Sequence, residues 1–475
     1  MKKYLTKINP VTEEQELQMI GLWIAKCISF ILRWMGKSAT SFPGKIALRL
    51  SPHLLDKLGS QLSRAIVITG TNGKTTTTRL LASMLKQEEP IATNAEGANL
   101  KQGILSALME KTSWRGRLLV TTALLEIDEA TLPQVASSLP IQLLVITNIF
   151  RDQLDRYGEL DTTLQKIREG AEQIQGTLLV NADDPLARFI GLHHKGQTLT
   201  YGFDNSMARE EDRQVMKDGA FCLECGHLLN YSGYFYGQLG VYNCPSCSFG
   251  RPDPDFVGSL DHHHLQIYNS QDQNKWTVPL PVKGLFNVDN VLAAVAAAHV
   301  CKLRIESMLK GLATYQAPTG RMQVFQTTPV SILNLIKNPA GCNGVLETIC
   351  REGDAKVICL AINDEAADGR DVSWLWDADF ELLANDESIV SIVTSGLRAR
   401  DMAVRLKYAG YPVKQLYVET DFATALDKTL ELANNMSIPS AFVMTTYTLV
   451  HLAAELLKER SDTNVEGAYH RASVS

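Results

Sequence analysis

Short β-branched runs alternate with longer stretches of helical spacing along much of the chain. Ala65–Thr69 (AIVIT) is the first such run; a glycine-rich turn follows it, and Thr75–Gln87 reads as a helix. Leu118–Ile127, Ile141–Thr147 and Thr177–Asn181 repeat the strand pattern with helical stretches between them. Strands alternating with helices predict an α/β fold whose parallel sheet is covered on both faces. Residues 205–275 break the rhythm: they are polar, aromatic and cysteine-bearing, and read as an insert. Val288–Leu303 (VDNVLAAVAAAHVCKL) restores a strong helix, and Ala317-Pro318-Thr319-Gly320 reads as a linker. From Met322 a second α/β alternation begins, with strands predicted at Ser331–Leu335, Lys356–Ile362, Ile389–Thr394 and Ser440–Thr445. The expected organisation is a helical extension over 1–60, a central parallel-sheet domain over 61–317 carrying the insert, and a smaller Rossmann-like α/β domain over 318–475.

The extension holds the most apolar segment. Met19–Met35 (MIGLWIAKCISFILRWM) is too short and, with Lys26 and Arg33 inside it, too charged to read as a membrane span. Ile20, Trp23, Ile24, Cys27, Ile28, Ile31 and Leu32 recur at helical spacing, which predicts a helix packed on the protein's own body. The sharper alternative lays that helix at a membrane surface, with Trp23, Trp34, Lys26 and Arg33 as interfacial anchors.

Composition narrows the classes. At 475 residues the chain has room for about three domains, and 45% hydrophobic with 21% charged residues is ordinary globular composition. A net charge of -6 makes a general nucleic-acid binder a poor reading. The nine cysteines are too few for a disulfide scaffold, and no secretory pattern precedes them, so a reducing cytoplasm is expected.

Gly70-Thr71-Asn72-Gly73-Lys74-Thr75-Thr76 follows the first strand and opens a helix. Ile68 stands where the usual phosphate loop begins with glycine, but the strand–turn–helix setting is what phosphate binding needs. Lys74 is expected at the β/γ-phosphates of ATP and the Thr75 hydroxyl on Mg²⁺. Glu126, at the carboxyl end of a predicted strand, is a second candidate Mg²⁺ ligand and catalytic residue. Asp128 and Glu129 beside it read as well as solvated loop charge.

Cys222-x-x-Cys225, then 18 residues, then Cys244-x-x-Cys247 has zinc-ribbon spacing, with Gly226 and Pro245 suiting tight knuckles. Four thiolates would close a structural site; a redox role suits a single pair better than two. His262-His263-His264 reads as a polar loop.

The loop G-T-N-G-K-T-T resembles the ATP loop of the Mur ligase superfamily, and further motifs follow in that family's order. Thr147-Asn148-Ile149-Phe150-Arg151-Asp152-Gln153-Leu154-Asp155-Arg156-Tyr157-Gly158 resembles its T-N-x-x-x-D-H-L-D-x-H-G, and Asn181-Ala182-Asp183-Asp184-Pro185 its N-A-D-D-P. Asn287-Val288-Asp289-Asn290 resembles H-N-x-x-N, which implies that Asn290 lies near the adenine; Gly320-Arg321 resembles G-R, which implies that Arg321 meets the nucleotide. Three departures stand out. Only 69 residues precede Gly70, too few for the family's usual UDP-sugar domain; Gln153 replaces a magnesium-binding histidine; and Ile167 replaces a carbamylated lysine, with Lys166 adjacent.

With the cysteine insert, the segment Asn363–Asp377 (NDEAADGRDVSWLWD) resembles the MurT subfamily, the ligase-like subunits of lipid II isoglutaminyl synthases. The resemblance implies that ATP activates the α-carboxylate of stem-peptide D-glutamate as an acyl phosphate, which ammonia converts to D-isoglutamine. It also implies a separate glutaminase subunit, GatD, as the ammonia source and lipid II at the inner membrane face as substrate. Gly341-Cys342-Asn343-Gly344 only approaches a glutaminase elbow, so Cys342 is expected to be a packing residue. Asp368 or Asp371 is expected to line the partner side of the site, orienting a partner histidine. The alternative is another Mur or folylpolyglutamate synthase-type ligase, which explains neither the insert nor the Asn363–Asp377 segment.

Overall fold

The structure, a computed structural model, describes residues 10–36, 39–94, 98–151, 160–209, 218–261 and 264–461. The chain divides into two compact units, the first within 1–149, 161–280 and 289–315, the second within 150–160, 281–288 and 316–475.

The first unit is built on strands β1 (Arg64–Thr69), β2 (Ile91–Thr93), β3 (Thr122–Glu126), β4 (Ile141–Ile146), β5 (Thr177–Asn181), β6 (Thr198–Phe203), β9 (Phe256–Asp261), β10 (His264–Asn269) and β11 (Lys275–Pro279), with a separate hairpin β7 (Asn230–Tyr236) and β8 (Leu239–Asn243). The sheet order is β11-β10-β9-β6-β5-β4-β1-β3-β2. From β2 to β9 neighbouring strands run parallel, and β9-β10-β11 form an antiparallel meander. Parallel strands must bury both faces. Ile66, Val67 and Ile68 of β1 and Leu144, Val145 and Ile146 of β4 are accordingly almost fully buried; helix Lys74–Leu85 packs on β1 and β3, and Leu292 of the alanine-rich helix Leu285–Val300 packs on Gly258 of β9. The chain leaves β1 toward β2 and β3 on one side and resumes at β4 on the other. The carboxyl end of β1 is therefore a topological switch point, the crevice where ligands collect in such sheets.

Three sequence expectations change here. β3 begins at Thr122 and not Leu118, because Leu118 pairs with Thr112 across a turn. Residues 205–275, read as one insert, divide in two: the cysteine hairpin stands apart, whereas β9 and β10 join the main sheet. The third change concerns the extension, which folds as helices α1 (Pro10–Trp34), α2 (Phe42–Leu50) and α3 (Leu54–Gly59). The stripe expected to pack inward does not. Ile20, Trp23, Ile24, Cys27 and Ile31 are exposed, and Gly21, Leu22 and Ala25 face the body. Close approach decides it: a Cβ on Gly21 would lie 2.3 Å from Ser51 Oγ at the end of α2, so only the narrow Gly21–Ala25 side fits against α2. No described helix is long and apolar enough to cross a membrane.

The second unit contains β12 (Gln323–Phe325), β13 (Val330–Leu335), β14 (Lys356–Ala361), β15 (Ile389–Ser395), β16 (Leu416–Val418) and β17 (Ser440–Thr445) in the order β12-β13-β17-β14-β15-β16. All neighbours are parallel except β12, which runs antiparallel to β13. Helix Pro339–Arg351 starts at Asn338, whose side chain accepts from Gly341 N at 2.7 Å. Cys342 sits inside that helix, wholly buried among Ile336, Leu346 and Phe380, and burial pushes its thiol well up, which suits packing and not nucleophilic attack.

Candidate active site

The glycine-rich loop leaves β1 at the switch point with Gly70 at φ +121° and Gly73 at φ +85°. Both positions also need the missing side chain. A Cβ on Gly70 would meet Thr147 Oγ1 at 2.4 Å, and one on Gly73 would meet Asn290 Oδ1 at 2.0 Å. Helix Lys74–Leu85 then begins, leaving its first backbone N–H groups to face the crevice.

Two segments from distant sequence wall the loop. Asn148 accepts from Asn72 N through its side chain at 2.9 Å and from Thr71 N through its carbonyl at 2.8 Å. Thr147 Oγ1 donates to Asn72 O at 2.7 Å. Asn290 lies on Gly73 and accepts from Thr77 Oγ1 at 3.3 Å. The motif residues Thr147, Asn148 and Asn290 are thus brought to the loop as a preorganised cradle, buried at 4% exposure or less. Thr76 is buried behind the loop, whereas Thr75 stays half-buried in the helix's first turn.

Lys74 is buried, and its ammonium donates to Glu129 Oε1 at 2.7 Å and to the Gly70 carbonyl. Burial alone would discharge it, but Glu129, Glu126 and Asp128 together hold its pKa above the ordinary lysine value. The reading of Asp128 and Glu129 as solvated loop charge is therefore overturned. They are 2% and 3% exposed, Asp128 accepting from Ala130 N at 3.1 Å and Glu129 serving as the lysine's counter-ion. The sequence signal was there in their spacing, two and three residues beyond a buried strand end.

Glu126 ends β3 at 2% exposure. Asn94 grips its backbone on both sides, accepting from its N–H at 2.8 Å and donating to its carbonyl at 2.7 Å. Asn99 donates to Oε1 at 3.1 Å, but Oε2 is buried with no hydrogen-bond partner. A buried carboxylate oxygen left unpaired is costly, and a hard divalent cation satisfies it. Oxygen donors such as Glu126 Oε2 and the Thr75 hydroxyl suit a hard cation such as Mg²⁺.

Lys166 ion-pairs with Glu169 at 2.7 Å on the surface and Ile167 is buried core, so neither offers the family's bridging lysine. Asp152 and Gln153 lie outside the described residues.

The four cysteines converge as the spacing predicted. Their sulfurs all lie within 4.8 Å of one another, with Cys222–Cys247 at 3.6 Å and Cys225–Cys244 at 3.4 Å. A zinc ion with four Zn–S bonds of about 2.3 Å needs sulfur edges of about 3.8 Å, close to what these knuckles supply. Gly226 turns the first knuckle at φ +76°, and Ser246 N donates to Cys244 Sγ in the second.

Sequence reading missed how this hairpin is seated. Arg251, just past the second knuckle, donates to Asp183 at 2.7 Å; Gln238 donates to Asp184 at 3.0 Å; Tyr236 donates to Asp289 at 2.7 Å. Asp184 also caps helix Pro185–Leu192 and accepts from Ile149 N at 2.6 Å. Burial pushes the carboxyl of Asp183 up to about 6 and that of Asp184 to about 7.

In the second unit Asp368 and Asp371 have different surroundings. Asp368 is buried, accepting from Thr448 N and Thr448 Oγ1, both at 2.7 Å, at the start of helix Tyr447–Glu459. Asp371 lies half-exposed and accepts from Ser373 N at 2.8 Å. Arg321 is half-buried between Gly320 and Met322, both at positive φ. Arg405 ties the following segment down: it donates to Glu381 at 2.8–2.9 Å, to Leu375 O and to Ala378 O, and packs on the Trp376 and Phe380 rings.

Residues 68–298 match the Mur ligase middle domain and residues 335–450 the MurT ligase C-terminal domain. The chain is 35% identical, over 87% of its length and 93% of the relative's, to the lipid II isoglutaminyl synthase (glutamine-hydrolyzing) subunit MurT of Staphylococcus aureus (strain COL). It is 33% identical to the subunit of the same name in Streptococcus pneumoniae (strain ATCC BAA-255 / R6), over 93% of this chain and 97% of that one. Among solved structures, a pseudomurein peptide ligase type C from Methanothermus fervidus has a similar fold: TM-score 0.63 at 24% identity, covering 83% of this chain and 78% of that one.

Proposed function

Because the chain belongs to the MurT family of Mur ligase-like enzymes, we propose that it amidates the α-carboxylate of D-glutamate in the lipid II stem peptide, at the expense of ATP, in peptidoglycan synthesis. The observation that carries this is the cradle at the end of β1: a buried, charged Lys74 and an unpaired Glu126 oxygen beside a loop walled by Asn148 and Asn290.

A carboxylate is a poor acyl donor, so activation must come first. In the proposed reaction a substrate carboxylate oxygen attacks the γ-phosphorus, the bond to the β-phosphate oxygen breaks, and ADP leaves. Lys74 would exchange Glu129 and the Gly70 carbonyl for the phosphates, offsetting charge on the transferred group. Thr75 and Glu126 would hold Mg²⁺, which when bound draws charge from the phosphate oxygens. Ammonia then attacks the acyl carbon, the C–O bond to phosphate breaks, and loss of a proton leaves the amide.

Ammonia must arrive unprotonated, which favours delivery from a docked glutaminase of the GatD type. The half-exposed Asp371 is better placed than the buried Asp368 to orient a partner's histidine. Asn290 and Arg321 are proposed nucleotide contacts, the four cysteines a structural Zn²⁺ site, and residues 61–317 and 318–475 the ATP-binding and partner-facing divisions. The proposed place of action is the inner membrane face, where the lipid-linked substrate resides. The test is co-purification with a glutaminase, then glutamine- and ATP-dependent mass change of lipid II. A carboxylate-to-amide change lost in Lys74→Met supports the proposal; a mass gain of a whole amino acid refutes it.

A further inference from the structure

The face of α1 that does not pack is unusual in what it shows to solvent. Trp23 is 47% exposed, Phe30 71%, Ile31 53% and Trp34 83%. Large apolar side chains in such density mark an interaction surface. The loop after helix Lys101–Glu110 extends it: Trp114 is 58% exposed, its carbonyl accepts from the Trp23 indole at 2.6 Å, and Lys26 lies 5.6 Å from its ring centre. Arg115 and Arg117 follow Trp114, both exposed.

Charge says what kind of partner suits it. No Asp or Glu occurs from residue 17 to residue 55, while Lys26, Arg33, Lys37, Lys45 and Arg49 all do, in a chain whose net charge is -6. Glu110, at the end of helix Lys101–Glu110, pairs with Arg33 at 2.9 Å, and Lys26, Arg115 and Arg117 keep the face basic. Tryptophans mixed with lysine and arginine, on a helix not apolar enough to span, match the chemistry of a bilayer interface with anionic headgroups. A cavity of about 690 Å³ opens beside this face. Its walls include Lys26, Phe30, Arg33, Glu110 and Trp114, and also Asn94, which grips the backbone of Glu126.

We propose that the outward face of α1 with the Trp114–Arg117 loop docks the chain on an anionic phospholipid surface, presenting the adjoining cavity to a lipid-linked substrate. The docking rests on the face itself; its purpose rests on the lipid II reading above. Indole and phenyl rings enter the headgroup region, and Arg115 and Arg117 pair with lipid phosphates.

The test is flotation of the full chain with vesicles of phosphatidylcholine, alone or with about a third phosphatidylglycerol. Binding is expected only with the anionic vesicles. An Ile31→Ser/Trp34→Ser double variant, which leaves the cavity walls intact, should lose it by roughly tenfold or more, since each substitution removes apolar area that the bilayer would bury. Arg115→Glu/Arg117→Glu should abolish the preference for anionic lipid. All four side chains are exposed, so an unchanged melting temperature verifies folding. Failure of the wild-type chain to float, or equal flotation of the serine variant, overturns the proposal. So does a chain that stays off vesicles while the serine pair dissolves a homodimer or releases a glutaminase subunit, since the face then belongs to a protein. Amidation of a short-chain, water-soluble lipid II analogue should survive the serine pair. Vesicle binding without any amidation would sink the function proposed above and leave the docking face standing.

Discussion

Asp368→Asn and Asp371→Asn, made separately, should fail in different ways. Asp368 accepts from Thr448 N and Thr448 Oγ1, each at 2.7 Å, and from Glu365 N at 3.2 Å. It thereby fastens the 363–371 loop to the positive end of helix Tyr447–Glu459, where a carboxylate is favoured. An asparagine keeps one accepting oxygen and turns an NH₂ toward groups that donated before. Two charge-assisted bonds become neutral or vanish, a loss of roughly 2–3 kcal/mol. For a unit of this size that lowers the melting temperature by roughly 4–12 °C. Asp371 is half-exposed and held by Ser373, and its substitution should stay within about 0.5 kcal/mol. Differential scanning fluorimetry measures the first effect; glutamine-dependent amidation with the partner subunit measures the second, where Asp371→Asn should lose activity at normal stability. An unchanged melting temperature in Asp368→Asn would refute the anchoring reading. Full coupled activity in Asp371→Asn would refute its partner role.

Gly73→Ala should destabilise the first unit by about 1–3 kcal/mol and weaken nucleotide binding, because φ +85° and the Asn290 contact both exclude a Cβ; calorimetric ATP titration checks it. Cys225→Ser or a strong chelator should remove bound zinc, read by metal analysis, and lower the melting temperature. Asp183 and Asp184, raised to about 6 and about 7 by burial, bind more protons folded than unfolded. Their contribution is complete below the ordinary aspartate range and disappears as pH rises through 6–7, so melting temperature measured from pH 5 to 8 should fall with a slope that Asp184→Asn reduces. Arg405→Met should cost the second unit about 2–3 kcal/mol, since the Leu375 and Ala378 carbonyls lose their buried donor; urea unfolding reads it.

Where the sequence carried a strong period, the structure follows it. The β-branched runs at Ala65, Ile141, Lys356 and Ser440 are buried parallel strands, because such strands must be apolar on both faces. The phosphate loop and the paired cysteines were legible because their spacing is itself the chemistry. β12 and β16, three residues each, were not, for so short a strand has no period to detect. The direction in which α1 faces was also hidden. Its apolar residues mark a stripe, but the packed side was chosen by Gly21, a residue whose contribution is the absence of a side chain. The burial of Glu129 had a signal in its place just past β3, but its pairing with Lys74 had none, since that proximity exists only once β3 is laid beside β1.

The seating of the cysteine hairpin bears on how freely this chain can vary. Surface insertions are usually dispensable, and related proteins gain or lose them with little penalty. This one is not of that kind. Each of three buried acids in the core takes a donor from it: Asp183 from Arg251, Asp184 from Gln238, Asp289 from Tyr236. Trimming the hairpin to a short turn would take one donor from each of three buried carboxyls, at about 1–3 kcal/mol apiece, leaving Asp183 to Phe203 N, Asp184 to Ile149 N and Leu186 N, and Asp289 to Asn181. The core acids and the hairpin are thus coupled, and a chain that loses the cysteine knuckles is expected to replace one or more of Asp183, Asp184 and Asp289 as well.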